Sequence, residues 1–391
     1  MPESVFVDID MYQITKRGQN ICGDAFITRK IAEEQRAIAV LSDGLGSGVK
    51  ASILANMTAS MAMKFVAGNM EFLHSAEIMM EALPICQVRK ISYATFTIVD
   101  CRASGEAHII EMGNPGCLCM RGSRPLELES RLMESPRWEK RTMRFSRLHT
   151  RPGDRIIFFS DGITQAGMGT DAFKLGWRRE GCRDFIAGAL ASSPHMSSRK
   201  LAREIVGEAL RKEPATVAGD DMSCGVFYFR HPRALVLLTG PPFDRGSDRR
   251  FVDMLRDARG RKVVCGGTTA GIVARELGVL IETPLPRART DIPPVSRVAG
   301  VDLATEGILT LTRAAQYLEQ GRPADHSNAA ADLVELFLES DIIHFVVGTR
   351  INEAHQDPTL PVDLEIRRNI VKRIAALLEH RYLKEVRIQY I

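Results

Sequence analysis

Two textures of hydrophobic patterning divide this chain. Up to His231, apolar and polar positions alternate over short stretches: Val5–Ile14, Arg36–Leu41, Ser92–Cys101, Ala107–Met112, Arg155–Ser160 and Ser223–Phe229. A period of two, or a short apolar run, predicts strands. Between them Val49–Ala67, Ala76–Pro84 and Ser197–Arg211 carry apolar residues at helical spacing. Met57, Met61 and Met63 on the first of these are expected to pack. Strands in hairpins with helices outside them predict an α+β sandwich.

After His231-Pro232 the pattern changes. Apolar runs Ala234–Leu238, Lys262–Cys265, Val279–Glu282 and Ile342–Val347 alternate with helical patterns. Those patterns are Asp248–Arg259, Thr269–Leu277, Gly307–Glu319, Ala329–Glu339 and Leu364–His380. Such alternation predicts a second, smaller α/β domain. The expected domains are therefore 1–231 and 232–391. Glu282–Val298, rich in proline, reads as a long connection.

Composition narrows the function classes. Over 391 residues, 45% hydrophobic and 26% charged residues describe an ordinary globular chain, and a net charge of +4 is too small for a nucleic-acid footprint. No run approaches the ~20 apolar residues of a membrane span. The N-terminus shows neither a basic start nor an apolar signal core, so a cytoplasmic protein is expected. The eight cysteines form no CxxC pair, which favours buried thiols over a zinc or redox site.

The chemistry lies in carboxylates beside glycine. Gly23-Asp24, Asp43-Gly44-Leu45-Gly46-Ser47-Gly48, Ser160-Asp161-Gly162 and Gly219-Asp220-Asp221 each touch an apolar strand. One Asp-Gly alone is a turn dipeptide. Four at strand ends can converge, and converging carboxylates repel unless cations lie between them. Oxygen donors without a His or Cys cluster favour Mg²⁺ or Mn²⁺ over zinc.

These segments resemble a known family. Asp43-Gly44-Leu45-Gly46-Ser47-Gly48-Val49-Lys50-Ala51 looks like the DGxGxGxxA signature of SpoIIE-type bacterial PP2C (PPM) serine/threonine phosphatases. Pro152-Gly153-Asp154 through Ser160-Asp161-Gly162-Ile163 resembles that family's PGDxLxLYSDGxxE segment. Gly219-Asp220-Asp221-Met222-Ser223 matches its closing box, and Gly23-Asp24 its early element. The likeness covers about residues 10–230.

The resemblance implies a PP2C-like β-sandwich flanked by helices, with two Mn²⁺ or Mg²⁺ ions at one end. Asp43 would bridge both ions and the Gly44 carbonyl would bind one. Asp161 and Asp220 would hold the other, and Asp24 would act through water. Asp221 is either a ligand or a turn carboxylate. The implied reaction is hydrolysis of a phosphoserine or phosphothreonine by a metal-activated water, without a phosphoenzyme. A bacterial regulatory phosphoprotein, such as an anti-sigma-factor antagonist, is the implied partner, and a homodimer is an open option. Two departures stand out. Arg17 sits near, but not at, the phosphate-binding arginine of eukaryotic members, and Gln165 stands where the family usually has Glu.

In the second domain, Gly266-Gly267-Thr268-Thr269 lies between a strand and a helix, where backbone N–H groups can meet an anion. Helix capping by the threonines is the plainer alternative. Glu306, Asn352 and His355 are candidates to line one pocket with this turn. The basic run Arg367-Arg368 with Lys372-Arg373 reads as a solvated helix face. The domain is expected to sense a ligand or dock a partner. Rival functions are a small-molecule phosphohydrolase and a non-catalytic binding module on a phosphatase fold.

Overall fold

Alternation in the first part builds two facing sheets. The structure, a computed structural model, describes residues 5–31, 33–70, 74, 78, 94–102, 104–134, 142–282, 295–321, 328–350 and 361–391. These residues divide into two units, Met1–His231 and Pro232–Ile391. All of the expected helix Ala76–Pro84 but residue 78, together with Asn352 and His355, lies outside the described residues, as does most of the Glu282–Val298 connection.

In the first unit, one antiparallel sheet has the order β1-β11-β10-β6-β7. Its strands are β1 (Phe6–Ile14), β6 (Leu118–Arg121), β7 (Arg124–Leu126), β10 (Asp154–Phe159) and β11 (Met222–Arg230). The other runs β2-β3-β4-β5-β9-β8. It comprises β2 (Asp24–Ile31), β3 (Arg36–Gly44), β4 (Ala94–Arg102), β5 (Glu106–Met112), β8 (Glu129–Glu134) and β9 (Thr142–His149). Between the sheets, Ile9, Ala39, Leu41, Val99 and Ile109 pack with Ile156, Phe158 and Phe227. Alternate residues of these strands face outward and are covered by helices. Ile38, Val40 and Ile98 pack under helix Gly48–Ala67. Ile157, Phe159 and Val226 pack under helices Arg178–Ser192 and Ser198–Lys212. The result is an α+β sandwich in four layers, as expected. Met63 joins the core, but Met57 is exposed on its helix.

The second unit is a parallel sheet, ordered β16-β13-β12-β17-β18. Its strands are β12 (Ala234–Thr239), β13 (Arg261–Cys265), β16 (Leu303–Thr305), β17 (Ile342–Val347) and β18 (Glu385–Tyr390). Only Ile281–Glu282 of the expected Val279–Glu282 strand is extended, as β14, and it pairs with β15 (Arg297–Val298) outside this sheet. Helices Asp248–Arg256 and Gly267–Leu277 cover one face. Helices Ile308–Gln320, Ala329–Glu339 and Pro361–His380 cover the other. Arg367 is half-buried and Arg373 pairs with Glu319, so the basic run is not simply a solvated face.

Candidate active site

All four predicted carboxylates come to one end of the sandwich. β2 begins at Asp24 and β3 ends in Asp43-Gly44, and the antiparallel register makes Asp24 and Asp43 direct partners. Asp161 follows β10 and Asp220 precedes β11, neighbouring strands of the other sheet. The Ser160 N–H donates to the Ser223 carbonyl at 3.0 Å, and the Ser223 N–H to Ser160 Oγ at 3.0 Å, which ties these two strand ends together.

Glycine is needed here for close approach. A Cβ on Gly44 would lie 2.1 Å from the Ala51 carbonyl oxygen, so Gly44 lets helix Gly48–Ala67 sit against the strand end. A Cβ on Gly162 would lie 2.1 Å from the Asp221 carbonyl oxygen.

Electrostatics show how closely the acids are gathered. Burial, then the charges of Asp24, Asp161 and Asp220, push Asp43 up to about 9. Burial pushes Asp24 up to about 6, against the hydroxyls of Ser223 and Ser160. Asp161 is also raised, by burial and by Asp220. Asp161 also acts on Asp43, raising it further. Among the described residues, no three His, Cys, Asp or Glu side chains close around one point as a ready cation shell.

The donor set nevertheless fits hard divalent cations. It is built of carboxylate oxygens, and Asp24 Oδ2 is buried without a hydrogen-bond partner. Asp24, Asp43, Asp161, Asp220 and the Gly44 carbonyl are the groups that could hold such ions.

A sequence profile of the family described as Stage II sporulation protein E (SpoIIE) matches residues 33–230, just over half of the chain. The chain belongs to the SpoIIE family. Among solved structures, the phosphatase domain of SpoIIE from Bacillus subtilis is 15% identical, with a TM-score of 0.44 over 59% of this chain and 95% of that one. The RsbU and RsbW domains of a Mycobacterium tuberculosis protein are 18% identical, with a TM-score of 0.47 over 65% of this chain and 69% of theirs. RsbX in complex with magnesium is 16% identical, with a TM-score of 0.39 over 57% of this chain and 95% of that one. No curated protein matches the sequence. The matched residues lie within Met1–His231, the unit that carries the four carboxylates.

Among the neighbours of these acids, Lys16 was not legible from local sequence. Asp221 is a tether: its Oδ1 accepts from the Lys16 N–H at 2.9 Å and its Oδ2 from the Gly23 N–H at 3.0 Å. The Lys16 ammonium lies 3.4 Å from Asp220 Oδ1, while the Arg17 side chain is exposed. Lys16 and Asp220 are 204 positions apart, so no local signal links them. Gln165 Nε2 donates to Asp161 Oδ2 at 2.8 Å, a bond that Glu could not make as an anion. Cys22, beside Asp24, is pushed up to about 12 by burial and that charge.

The predicted residues of the second domain belong to the other unit. Gly266 follows β13, and Gly267 opens helix Gly267–Leu277. Glu306 Oε2 accepts from the Leu309 N–H at 3.1 Å and so caps helix Ile308–Gln320.

Proposed function

We propose that this chain is a metal-dependent phosphatase that hydrolyses phosphoserine or phosphothreonine on a regulatory protein. The convergence of Asp24, Asp43, Asp161 and Asp220 from both sheets, with Asp24 Oδ2 buried and unpartnered, carries the reading. Two Mn²⁺ or Mg²⁺ ions bound there would supply a water activated at neutral pH and charge to offset the developing phosphoryl anion. The chain's own groups prepare that site. Burial and the neighbouring acids raise Asp43, so any proton it keeps has to leave before it serves as a ligand, and Gln165 orients Asp161. Asp221 fixes the turn that carries Lys16 and Gly23. The Cys22 thiol stays protonated near neutral pH and is no nucleophile. Family membership supports a regulatory phosphoprotein as substrate, and an anti-sigma-factor antagonist is the first to try. No described helix is long and apolar enough to cross a membrane.

The test is phosphate release from a phosphoserine peptide with Mn²⁺, comparing the intact chain with Asp43→Asn. Release that needs both the ion and Asp43 supports the proposal. Mn²⁺ binding without release from any phosphopeptide, alongside turnover of a small phosphate ester, would favour a small-molecule phosphohydrolase.

A further inference from the structure

The parallel sheet of Pro232–Ile391 ends in a row of buried polar residues. By register, Thr239, Cys265 and Thr305 stand side by side as the last residues of β12, β13 and β16. The chain starts at the middle strand β12, builds outward through β13 and β16, then returns to β17 on the other side. Open parallel sheets bind ligands beyond the carboxyl ends of their strands, where such a reversal occurs.

Two helix N-termini meet at this edge. Gly266, at φ +122°, turns β13 directly into helix Gly267–Leu277, whose first N–H groups have no side-chain cap. Helix Ile308–Gln320 begins beside it, since a Cβ on Gly307 would lie 3.4 Å from Gly266 Cα. Glu306 already occupies the Leu309 N–H, so the open donors are those of Gly267 and Thr268. Nothing lies within 4 Å of a Cβ built on Gly267.

A second, independent observation lies in the hydroxyls. Thr239 and Thr310 are both 0% exposed, and neither Oγ1 has a hydrogen-bond partner. Thr310 is in the first turn of helix Ile308–Gln320. Thr239 lies two residues beyond Leu237, which packs with Cys265 and Leu311, so its side chain is on the face that Thr310 covers. An orphaned buried hydroxyl destabilises the fold until a partner reaches it. Positive charge is at hand, because Arg367 Nη1 lies 2.8 Å from the Cβ position of Gly240, the residue after Thr239.

We propose that this edge binds a phosphoryl group, either free phosphate or the phosphate of a small nucleotide. The Gly267 and Thr268 N–H groups, the Thr239 and Thr310 hydroxyls and the Arg367 guanidinium are its donors.

The test is calorimetric titration of the full chain in EDTA, with inorganic phosphate and AMP in separate runs. Without cations the acidic end of the first unit repels both probes, so the outcome is independent of the proposed phosphatase activity. Saturable binding is expected. AMP binding tighter than phosphate identifies a nucleotide site, and equal affinities identify a phosphate site. Gly267→Glu places a carboxylate in the cradle while suiting a helix N-terminus, so it should keep the melting temperature and weaken binding by about tenfold or more. Thr310→Val should weaken binding and raise the melting temperature of the ligand-free chain. Absence of binding at roughly 10 mM, unchanged affinity in Gly267→Glu, or a lower ligand-free melting temperature in Thr310→Val would each overturn the proposal.

Discussion

Asp24 and Asp43 face each other as direct partners across β2 and β3. Side chains at such a pair project to the same face about 5 Å apart, where like charges destabilise a sheet. Here the pair is also withdrawn from water, and the two carboxyls rise to about 6 and about 9. The repulsion is relieved by a proton or by a cation.

That repulsion sets a pH dependence with a definite sign. Asp43 titrates higher in the folded chain than in the unfolded one, where it is near 3.8. Between about pH 4 and 9 the native state keeps a proton that the unfolded state has lost, so stability of the metal-free first unit falls as pH rises. One proton gives a slope of at most about 1.4 kcal/mol per pH unit, less with solvent screening. Unfolding midpoints in EDTA should drop from pH 5 to 9, and Asp43→Asn should flatten the profile. Mn²⁺ replaces the same proton, so its stabilising shift should grow with pH. A flat profile in the intact chain would show that Asp43 is already ionised.

Gly44 and Gly46 lie two positions apart in the motif but serve different ends. At Gly44 a Cβ meets the Ala51 carbonyl, whereas at Gly46 it meets nothing within 4 Å, and only a φ of +108° resists a side chain. Gly44→Ala should therefore cost about 3 kcal/mol or more by prying the helix from β3, and Gly46→Ala about 1 kcal/mol. Urea unfolding of the two variants measures the difference. Equal losses would mean that the helix gives way easily.

Asp221 lies inside the motif yet has its oxygens committed to the Lys16 and Gly23 N–H groups. Asp221→Ala leaves both donors without that acceptor and should lower stability by about 2–4 kcal/mol. Asp221→Asn keeps one acceptor and should cost about half as much. Calorimetry should find Mn²⁺ affinity in the Asn variant within about threefold of the intact chain, whereas loss of a direct ligand would cost far more. A hundredfold drop would make Asp221 a ligand.

Much of this was legible because strong patterns met strong geometry. Ala37–Leu41, Ile156–Phe159 and Ser223–Phe229 are buried apolar runs, and the acids at their ends were visible as motifs. β9 was not, since its buried Met143 and half-buried Phe145 alternate with arginine and serine. Helix Arg178–Ser192 was also missed, because it buries only Cys182, Ile186 and Leu190 among polar neighbours and glycines. The edge strand β18 is half-buried and lacks an apolar run. Lys16, by contrast, reaches Asp220 only through the pairing of β1 with β11, which no local window contains.

Arg36 closes the opposite end of β3 from Asp43. Its Nε and Nη2 bond Asp100 at 2.7 and 2.8 Å, Nη1 bonds Asn69 Oδ1 at 2.7 Å, and Nη2 also reaches the Val66 carbonyl at 2.8 Å. The guanidinium thus clamps the C-terminal end of helix Gly48–Ala67 to the sheet, with 2% of its side chain exposed. Arg36→Met strands the Asp100 carboxylate and should cost about 3–5 kcal/mol, while Arg36→Met with Asp100→Leu should recover much of that loss. The carboxylate site lies roughly 25 Å away along the strand. Mn²⁺ affinity in the double variant should therefore stay within about twofold of the intact chain, since a surviving helix–strand contact at Gly44 and Ala51 keeps the strand end in place. A large change in affinity would instead show that the helix transmits the state of its far end to the acids.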